Sequence, residues 1–206
     1  MSRKEQIKGI FFDFDGVITV EKYGTPTMVA YISEKTGLSY DKVDLEYRKY
    51  NKDLLQGRIT HRAMWDSFCK AVGMEIDYKI LEESFLNMTL DQQMIELIRK
   101  YKRKYLIGMI TDNKADRIET VLEKTELNGL FDVVIISANV NAQKTERKIF
   151  QQALKESGLK AEECVFIDNT KDNLVVPDEM GFRTLLFDDE KRDYSELESV
   201  LPCLVE

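Results

Sequence analysis

Residues 8–19, KGIFFDFDGVIT, place two acids and a glycine directly after a short apolar run. The run at residues 8–12 is typical of a strand buried on both faces of a parallel sheet. Asp13 and Asp15 follow at its carboxyl end, where ligands bind in open α/β sheets, and Gly16 permits a sharp departure of the backbone. Two carboxylates so close repel each other, which raises one pKa unless a hard cation such as magnesium intervenes. A lone Asp-x-Asp pair is more often a strand end with two solvated acids.

Four more apolar runs of this kind follow later in the chain, at residues 105–110, 132–137, 164–167 and 184–187. Helical patterns lie between the later runs, one at residues 117–125 and one at residues 149–154 that stops near Gly158. Alternating strands and helices imply right-handed βαβ units. The sequence therefore predicts an α/β fold with a Rossmann-like, mainly parallel sheet.

The stretch between the first two strands has no strand pattern. Five helices are predicted there: Thr27–Lys35, Tyr40–Gln56, His61–Val72, Tyr78–Asn87 and Asp91–Arg103. Gly37, Gly57 and Gly73 lie where helix C-caps are expected, and Thr60 is a candidate N-cap of the third helix. An all-helical block inside an α/β chain indicates an insertion. We predict a core of residues 1–19 and 100–206 with a helical domain at residues 20–99.

Polar side chains also follow the second and third predicted strands. Thr111, with Asp112 and Asn113 after it, could hold a phosphate oxygen together with backbone amides, or it could be a helix N-cap. Lys144 follows the third strand after a short loop, although any one of the chain's 30 basic residues is most often on the surface.

The fourth strand ends at Asp168, and Asp172 comes one helical turn later. Alone, they would be a capping acid and a solvated one. Thr111, Lys144 and Asp168 nevertheless follow consecutive strands at the edge of the sheet where Asp13 lies. Chance does not readily explain that all of them lie at this edge. The sequence therefore predicts that these groups converge.

Composition excludes several classes of function. The 206 residues are 43% hydrophobic and 33% charged, with a net charge of −7, so a nucleic-acid partner is disfavoured. No apolar run approaches the roughly 20 residues of a membrane span. Three widely spaced cysteines form neither a disulfide framework nor a metal-type pair, and we expect no secretory leader. We expect a cytoplasmic protein, without a membrane partner; the oligomeric state stays open, and a monomer is compatible with the sequence.

The chain resembles the haloacid dehalogenase-like hydrolase superfamily over nearly its full length. It matches all four family motifs, which are DFDGVIT at residues 13–19, Thr111, Lys144 within KTERKIF, and Asp168 with Asp172. The helical insertion between the first two motifs resembles the cap of the subgroup that contains small-metabolite phosphatases, β-phosphoglucomutase and haloacid dehalogenases. These motifs are specific for the superfamily and poorly specific for the substrate.

The resemblance implies a phosphatase with Mg²⁺ as its cofactor and a small phosphorylated metabolite as its substrate. Asp13 would form an aspartyl-phosphate, and Asp15 would act first as general acid and then as general base. Mg²⁺ would be held by Asp13, Asp168 and the backbone carbonyl of Asp15. Thr111 and Lys144 would bind the phosphoryl oxygens.

Other family positions imply supporting roles. Asp112 and Asn113 would lie beside the bound phosphate, and Asn169 and Asp172 would lie beside the metal, with Asp172 alternatively a partner of Lys144. Three residues depart from the common pattern: Thr145 replaces a frequent proline, Asn169 stands where serine or a second aspartate is common, and Asp112 stands where asparagine or serine is usual.

Several alternatives stay open. The dehalogenase alternative is weak because metal-free dehalogenases of the family lack an acid at the position of Asp15. A phosphosugar mutase would share both acids, but its arginine-bearing cap motif is not convincingly present. A non-catalytic phosphate-binding protein is disfavoured by the intact motifs. The loop at residues 56–60 contacts substrate or, as we favour, is an ordinary turn with a solvated Arg58, and His61 is expected to be exposed.

Overall fold

The computed structural model describes residues 6–195 and 197–199 of the chain, and a parallel sheet forms its centre. The five strands are β1 (Gly9–Phe12), β2 (Leu106–Thr111), β3 (Val133–Ile136), β4 (Cys164–Asp168) and β5 (Arg183–Leu186). Their order across the sheet is β3-β2-β1-β4-β5, and every neighbouring pair is parallel. The α/β fold predicted from the apolar runs is confirmed, with each strand within one residue of its expected bounds.

Helices cover both faces of the sheet and form a separate group beside it. They are α1 (Gly24–Thr36), α2 (Tyr40–Leu55), α3 (His61–Val72), α4 (Tyr78–Ser84), α5 (Gln92–Tyr101), α6 (Ala115–Lys124), α7 (Ser137–Val140), α8 (Arg147–Ser157) and α9 (Val175–Met180). Short 3₁₀ turns cover Ala161–Glu163 and Lys171–Leu174. Thr60 caps α3 through its side chain, and Gly37 and Gly73 end α1 and α3 in the left-handed conformation, as predicted. Within the described residues, no helix is long and apolar enough to cross a membrane.

The strand register brings the predicted site residues to one level. Phe12 at the end of β1 lies opposite Met109 of β2 and Ile167 of β4. The backbone amide of Asp13 then donates to the carbonyl of Ile167 at 2.9 Å. Because β1 is central and parallel to both neighbours, the residues that follow these strands meet at the carboxyl edge of the sheet.

Helices α1–α4 have a hydrophobic core of their own. Met28, Trp65, Phe68 and Phe85 are among its fully or nearly fully buried members. Helix α5 does not belong to it: its apolar face, Met94, Ile95 and Ile98, packs into the same cluster as the sheet residues Ile10 and Phe12. The predicted boundary at residue 99 was therefore wrong for α5, which the structure places in the layer that covers the sheet. We call α1–α4 the helical module.

Two chain segments connect the module to the core, and they run side by side. Thr19 forms an antiparallel bridge with Leu90, and the amide of Asp91 donates to the carbonyl of Ile18 at 2.9 Å. Arg192 contacts both segments, because its guanidinium donates to the carbonyl of Val17 at 3.0 Å and to the carboxylate of Asp91. The entry and exit of the module are thereby tied to one position beside the end of β1.

Candidate active site

A pocket of about 210 Å³ lies at the carboxyl edge of the sheet, beneath the helical module. Core residues after four strands line one side, and Lys22, Thr25 and Asn51 of the module segment line the other. A larger, open cavity of about 970 Å³ lies on α3 and the turn into α4 and includes none of the predicted site residues. The smaller pocket is the one with convergent charged groups, and it is therefore the candidate site.

Lys144 joins two acids at the bottom of this pocket. Its Nζ lies 2.8 Å from Asp13 Oδ1 and 2.6 Å from Asp168 Oδ2, and all three side chains are at least nine-tenths buried. Burial raises the pKa of Asp13 to about 7, against the lowering effect of Lys144. Burial also acts to lower the pKa of Lys144, but the carboxylates of Asp13 and Asp168 outweigh it and raise that pKa. The predicted convergence of these three residues is confirmed.

Neighbouring groups fix the positions of Lys144 and Asp168. The carboxylate of Asp112 accepts from the backbone amide of Lys144 at 3.0 Å, and burial raises the pKa of Asp112. Asp168 accepts from the amide of Thr170 at 2.7 Å and from Asn173 Nδ2 at 3.1 Å. Asp112, which was expected beside a bound phosphate, thus lines the pocket while its carboxylate anchors the loop that carries Lys144.

Asp15 is held by a buried arginine. Arg117 of α6 donates from both terminal nitrogens, Nη1 to Oδ2 and Nη2 to Oδ1, each at 2.8 Å, and Asn113 Nδ2 also donates to Oδ2 at 2.8 Å. Arg117 is 1% exposed, and its Nη1 donates further to Asn113 Oδ1 at 2.9 Å. The side chain of Asn113 therefore orients Asp15, and both Asn113 and the buried Thr111 line the pocket.

Residues after β4 correct one prediction. Asp172 is exposed and does not line the pocket, whereas Asn173 does both line it and contact Asp168. The 3₁₀ turn begins only at Lys171, after two non-helical residues, so helical spacing counted from Asp168 does not apply and Asn173 is the side chain that turns back to the strand end. Asn169 lines the pocket with a buried Nδ2 that has no hydrogen-bond partner among the described residues.

The donor set at the pocket floor fits a hard cation. Asp13 and Asp168 share the single ammonium of Lys144, so two ionised carboxylates there would be balanced by only one positive charge. Carboxylate oxygens are the ligands that Mg²⁺ prefers, and Mg²⁺ usually keeps several waters with only one or two carboxylates. Within the described residues, no three His, Cys, Asp or Glu side chains form a metal-binding group, so backbone carbonyls and water would complete the coordination.

Residues 7–174 match the family model of the haloacid dehalogenase-like hydrolases, which is most of the chain. The chain belongs to this family. Among the motif residues predicted from the sequence, Asp13, Asp15, Thr111 and Lys144 line the pocket and Asp168 pairs with Lys144, whereas Asp172 lies outside it.

Comparisons with known proteins place this haloacid dehalogenase-like hydrolase among enzymes of more than one activity. It is 27% identical to a glyceraldehyde 3-phosphate phosphatase of Methanocaldococcus jannaschii, with 92% of each chain covered. It is 22% identical to a (S)-2-haloacid dehalogenase of Pseudomonas putida, covering 95% of this chain and 90% of that one. An enzyme of the family from Bacteroides thetaiotaomicron, solved with magnesium and inorganic phosphate, superposes with a TM-score of 0.71 at 18% identity, over 93% of this chain and 98% of that chain.

In this haloacid dehalogenase-like hydrolase, His61 is buried, so the expectation of an exposed histidine was wrong. Its Nε2 lies 2.6 Å from the hydroxyl of Tyr47 in the module, and its Nδ1 lies 2.8 Å from both carboxylate oxygens of Asp116 in α6. Burial lowers the pKa of His61, in spite of the opposing effect of Asp116. A neutral imidazole that accepts from Tyr47 and donates to Asp116 satisfies all three groups and joins the module to the core.

The loop at residues 56–60 is a second contact between module and core. Gly57 has φ of +66°, and a Cβ there would lie 1.9 Å from the backbone oxygen of Ala138 in α7. Arg58 is exposed and pairs with Asp53 at 3.1 Å, and the loop does not line the pocket. The prediction of an ordinary turn with a solvated arginine is confirmed.

Two functional candidates in this pocket were not found from the sequence. Arg117 was placed only in the helical pattern of α6, and Lys114 was not singled out. A sequence signal existed for Arg117, because a charged residue lies beside Ile118 on the buried stripe of an amphipathic helix. Lys114 lies one position before the same helix, is 4% exposed and lines the pocket.

Proposed function

We propose that the protein is a magnesium-dependent phosphatase that hydrolyses a small phosphate monoester through a phosphoryl-aspartate on Asp13. The observation that carries this proposal is the buried Lys144 ammonium held between Asp13 and Asp168, with Asp15 two residues further along the same strand end. An anionic nucleophile and an anionic phosphate meet only where positive charge offsets their repulsion.

In the first step, a carboxylate oxygen of Asp13 forms a bond to phosphorus while the bond from phosphorus to the ester oxygen breaks. The departing oxygen takes a proton from Asp15, which acts as general acid. Lys144 and Thr111 stabilise the charge on the phosphoryl oxygens. The products of this step are the free alcohol and a phosphorylated Asp13.

In the second step, water attacks phosphorus and its proton returns to Asp15. The carboxylate of Asp15 accepts from Arg117 and Asn113, the arrangement of an ionised acid, which is the form that can take up this proton. The bond from phosphorus to Asp13 breaks, and inorganic phosphate leaves. Splitting a difficult hydrolysis into two displacements is the advantage of a carboxylate nucleophile.

Asp13 and Asp168, with the backbone carbonyl of Asp15, would hold the cation. When bound, Mg²⁺ supplies positive charge to the carboxylates and the phosphoryl oxygens. The neighbour from Bacteroides thetaiotaomicron, crystallised with magnesium and phosphate, supports this choice of metal.

The helical module would act as a cap, since Thr25, Asn51 and Leu55 roof the pocket. A volume of about 210 Å³ is below the roughly 300–1,000 Å³ of typical small-molecule pockets, which favours a substrate smaller than a nucleotide. Relatives described as glyceraldehyde 3-phosphate and D-ribitol-5-phosphate phosphatases agree with a substrate of that size.

A dehalogenase is the second candidate, because the relative from Pseudomonas putida covers nearly the whole chain. The buried pairing of Asp15 with Arg117 disfavours it, since haloacid displacement needs no acid to protonate a leaving halide. A phosphosugar mutase would use the same acids and differs only in returning the phosphate to a sugar.

The test is phosphate release from a panel of small phosphate esters with Mg²⁺, alongside halide release from 2-haloacids. We expect phosphate release that EDTA abolishes and that excess Mg²⁺ restores. Asp168→Asn should raise the Mg²⁺ concentration needed for half-maximal rate, because it removes a charged ligand. Halide release without phosphate release, or full phosphate release in EDTA, would reject the proposal, and phosphate recovered on sugar instead of in solution would indicate the mutase.

A further inference from the structure

Lys114 is a buried cation on the module side of the pocket. It is 4% exposed, lines the pocket, and its Nζ donates to Thr25 Oγ1 at 2.7 Å. The ring of Tyr47 lies 5.9 Å from the same nitrogen. Thr25 in turn donates to Asn51 Oδ1 at 3.3 Å, so the group that receives Lys114 is itself fixed.

The charge of Lys114 has no direct counterpart. Among the described residues, no carboxylate lies within 4.0 Å of its Nζ, whereas the other lysines of the pocket pair with acids, Lys144 with Asp13 and Lys22 with Asp189. A buried ammonium without a counterion in contact loses solvation that nothing replaces. Burial, together with the nearby Arg117, lowers the pKa of Lys114 to about 7, and the more distant carboxylates of Asp15 and Asp116 oppose this lowering only in part.

A ligand anion is the group that would balance this charge. In the proposed mechanism the transferred phosphoryl group binds at Asp13, Thr111 and Lys144, which leaves the part of the pocket beside Lys114 and Thr25 for the leaving group. A neutral leaving group would leave the ammonium without a counterion, whereas an oxyanion there would form a charge-assisted hydrogen bond.

We propose that Lys114, held by Thr25, binds a second oxyanion on the leaving group, so that the substrate is a small phosphate ester that also carries a carboxylate or a second phosphate. This substrate class rests on the proposed phosphatase function, because it takes Asp13 and Lys144 as the site of the transferred phosphoryl group. The small pocket limits the spacer between the two anions to a few atoms.

The competing explanation is structural: Lys114 would only fasten α1 to α6 through Thr25. The two explanations differ in what the ligand's second group does. A fastening role affects every ligand alike, whereas an anion site discriminates between ligands that differ only in that group.

Equilibrium binding separates them without turnover. Three phosphonates with the same two-carbon spacer are compared by calorimetry in the presence of Mg²⁺: propylphosphonate, 3-phosphonopropionate and ethane-1,2-bisphosphonate. We expect the wild type to bind at least one of the two ligands that carry a second anionic group about tenfold or more tightly than propylphosphonate. One charge-assisted hydrogen bond provides a difference of this size. The preferred ligand identifies the second anion as carboxylate or phosphate.

Lys114→Met should remove this preference and leave propylphosphonate binding within about threefold of the wild type, and Lys114→Arg should keep it. The control is Lys49→Met, an exposed lysine of α2 paired with Glu46, which should change nothing. Equal wild-type affinity for all three ligands, or equal weakening of all three by Lys114→Met, would overturn the proposal. The wild-type comparison decides even if Lys114→Met does not fold.

A kinetic arm keeps this proposal apart from the phosphatase proposal. Phosphate release from 2-phosphoglycolate should exceed that from 2-hydroxyethyl phosphate by a similar factor in kcat/KM. Release without that preference overturns the second-anion site alone. An anion preference in calorimetry with no phosphate release from any ester supports this site and overturns the phosphatase.

Discussion

Arg117→Met tests whether the buried arginine positions Asp15. The substitution keeps an apolar stem of similar length and removes two hydrogen bonds of 2.8 Å to the carboxylate. Removing one partner of a buried ion pair costs about 3–5 kcal/mol. Asp15 faces the pocket and its side chain is 17% exposed, so water can replace part of the loss, and we expect about 3 kcal/mol.

Arg117→Met should also lower the activity. Asp15 would still accept from Asn113 Nδ2 at 2.8 Å, so the acid stays near its place with more freedom. A positioned general acid contributes about 10²–10⁴-fold in rate. We expect Arg117→Met to lower kcat by about 100-fold, which is the lower end of that range. The measurements are urea unfolding and steady-state phosphate release at saturating substrate.

A double-mutant cycle tests the link between the two residues. If Arg117 acts through Asp15, then Arg117→Met in an Asp15→Asn background should cost little further activity, because the group that it positions is gone. Arg99→Met is the control, since Arg99 pairs with Glu126 at the same 2.8 Å but is half exposed, and it should change stability by less than about 1 kcal/mol. A wild-type kcat for Arg117→Met, or the full loss repeated in the Asp15→Asn background, would refute the reasoning.

Two further predictions concern the contacts between module and core. Gly57→Ala should destabilise the protein by about 2–3 kcal/mol and raise KM, because a Cβ there meets the backbone oxygen of Ala138. The control is Gly37→Ala: Gly37 has φ of +72° and open space around it, so thermal unfolding should show only the backbone cost of about 1 kcal/mol. Equal losses of stability in the two variants would contradict the contact between Gly57 and Ala138. Burial lowers the pKa of His61 in the folded protein below 6.5. The stabilisation that the neutral imidazole provides is therefore fully present above about pH 6.5, and it is lost as the pH falls through the folded-state pKa. The stability difference between wild type and His61→Gln should therefore shrink from pH 8 to pH 5, and a constant difference would contradict the assignment of a neutral, buried imidazole.

The sheet and the convergence of the motif residues could be predicted because their signals are local. Each buried parallel strand is a continuous apolar run, and the residue after it is fixed at the carboxyl edge whatever the rest of the chain does. Asp13 and Asp168 follow from this rule without any knowledge of distant contacts, whereas Lys144 lies beyond α7 and its position depends on the contact of its amide with Asp112. The signals for the ends of α1 and α3 were equally local, since Gly37 and Gly73 provide the left-handed conformation that a helix C-cap needs.

The wrong predictions concern His61, α5 and Asp172, and each depends on contacts or on a chain geometry that the local sequence pattern does not reveal. The burial of His61 depends on Asp116, which is 55 positions away in the sequence. Helix α5 is amphipathic, and the pattern does not tell which of two cores receives its apolar face. Asn173 and not Asp172 contacts Asp168, because two non-helical residues separate the strand end from the 3₁₀ turn and helical spacing counted from Asp168 does not hold.

Arg117 and Lys114 were overlooked for another reason. A cation near the start of a helix is usually solvated, and these two are buried by residues distant in the sequence, among them Gly24 and Thr25 at the start of α1. Gly24 illustrates the closeness of that packing, since a Cβ there would lie 2.2 Å from the guanidinium carbon of Arg117. Sequence reasoning identified the groups that we propose for phosphoryl transfer and missed Arg117, which holds Asp15, and Lys114, which lines the same pocket.

The central claim is that Asp13 carries the phosphoryl group, and trapping the intermediate tests it most directly. The wild type is mixed with a substrate ester and Mg²⁺, quenched within milliseconds, and treated with borohydride, which reduces an aspartyl-phosphate to homoserine. Peptide mass spectrometry should find homoserine at position 13, and Asp13→Asn, with deamidation excluded, should release no phosphate. Homoserine at another position, or wild-type turnover of Asp13→Asn, would contradict the account.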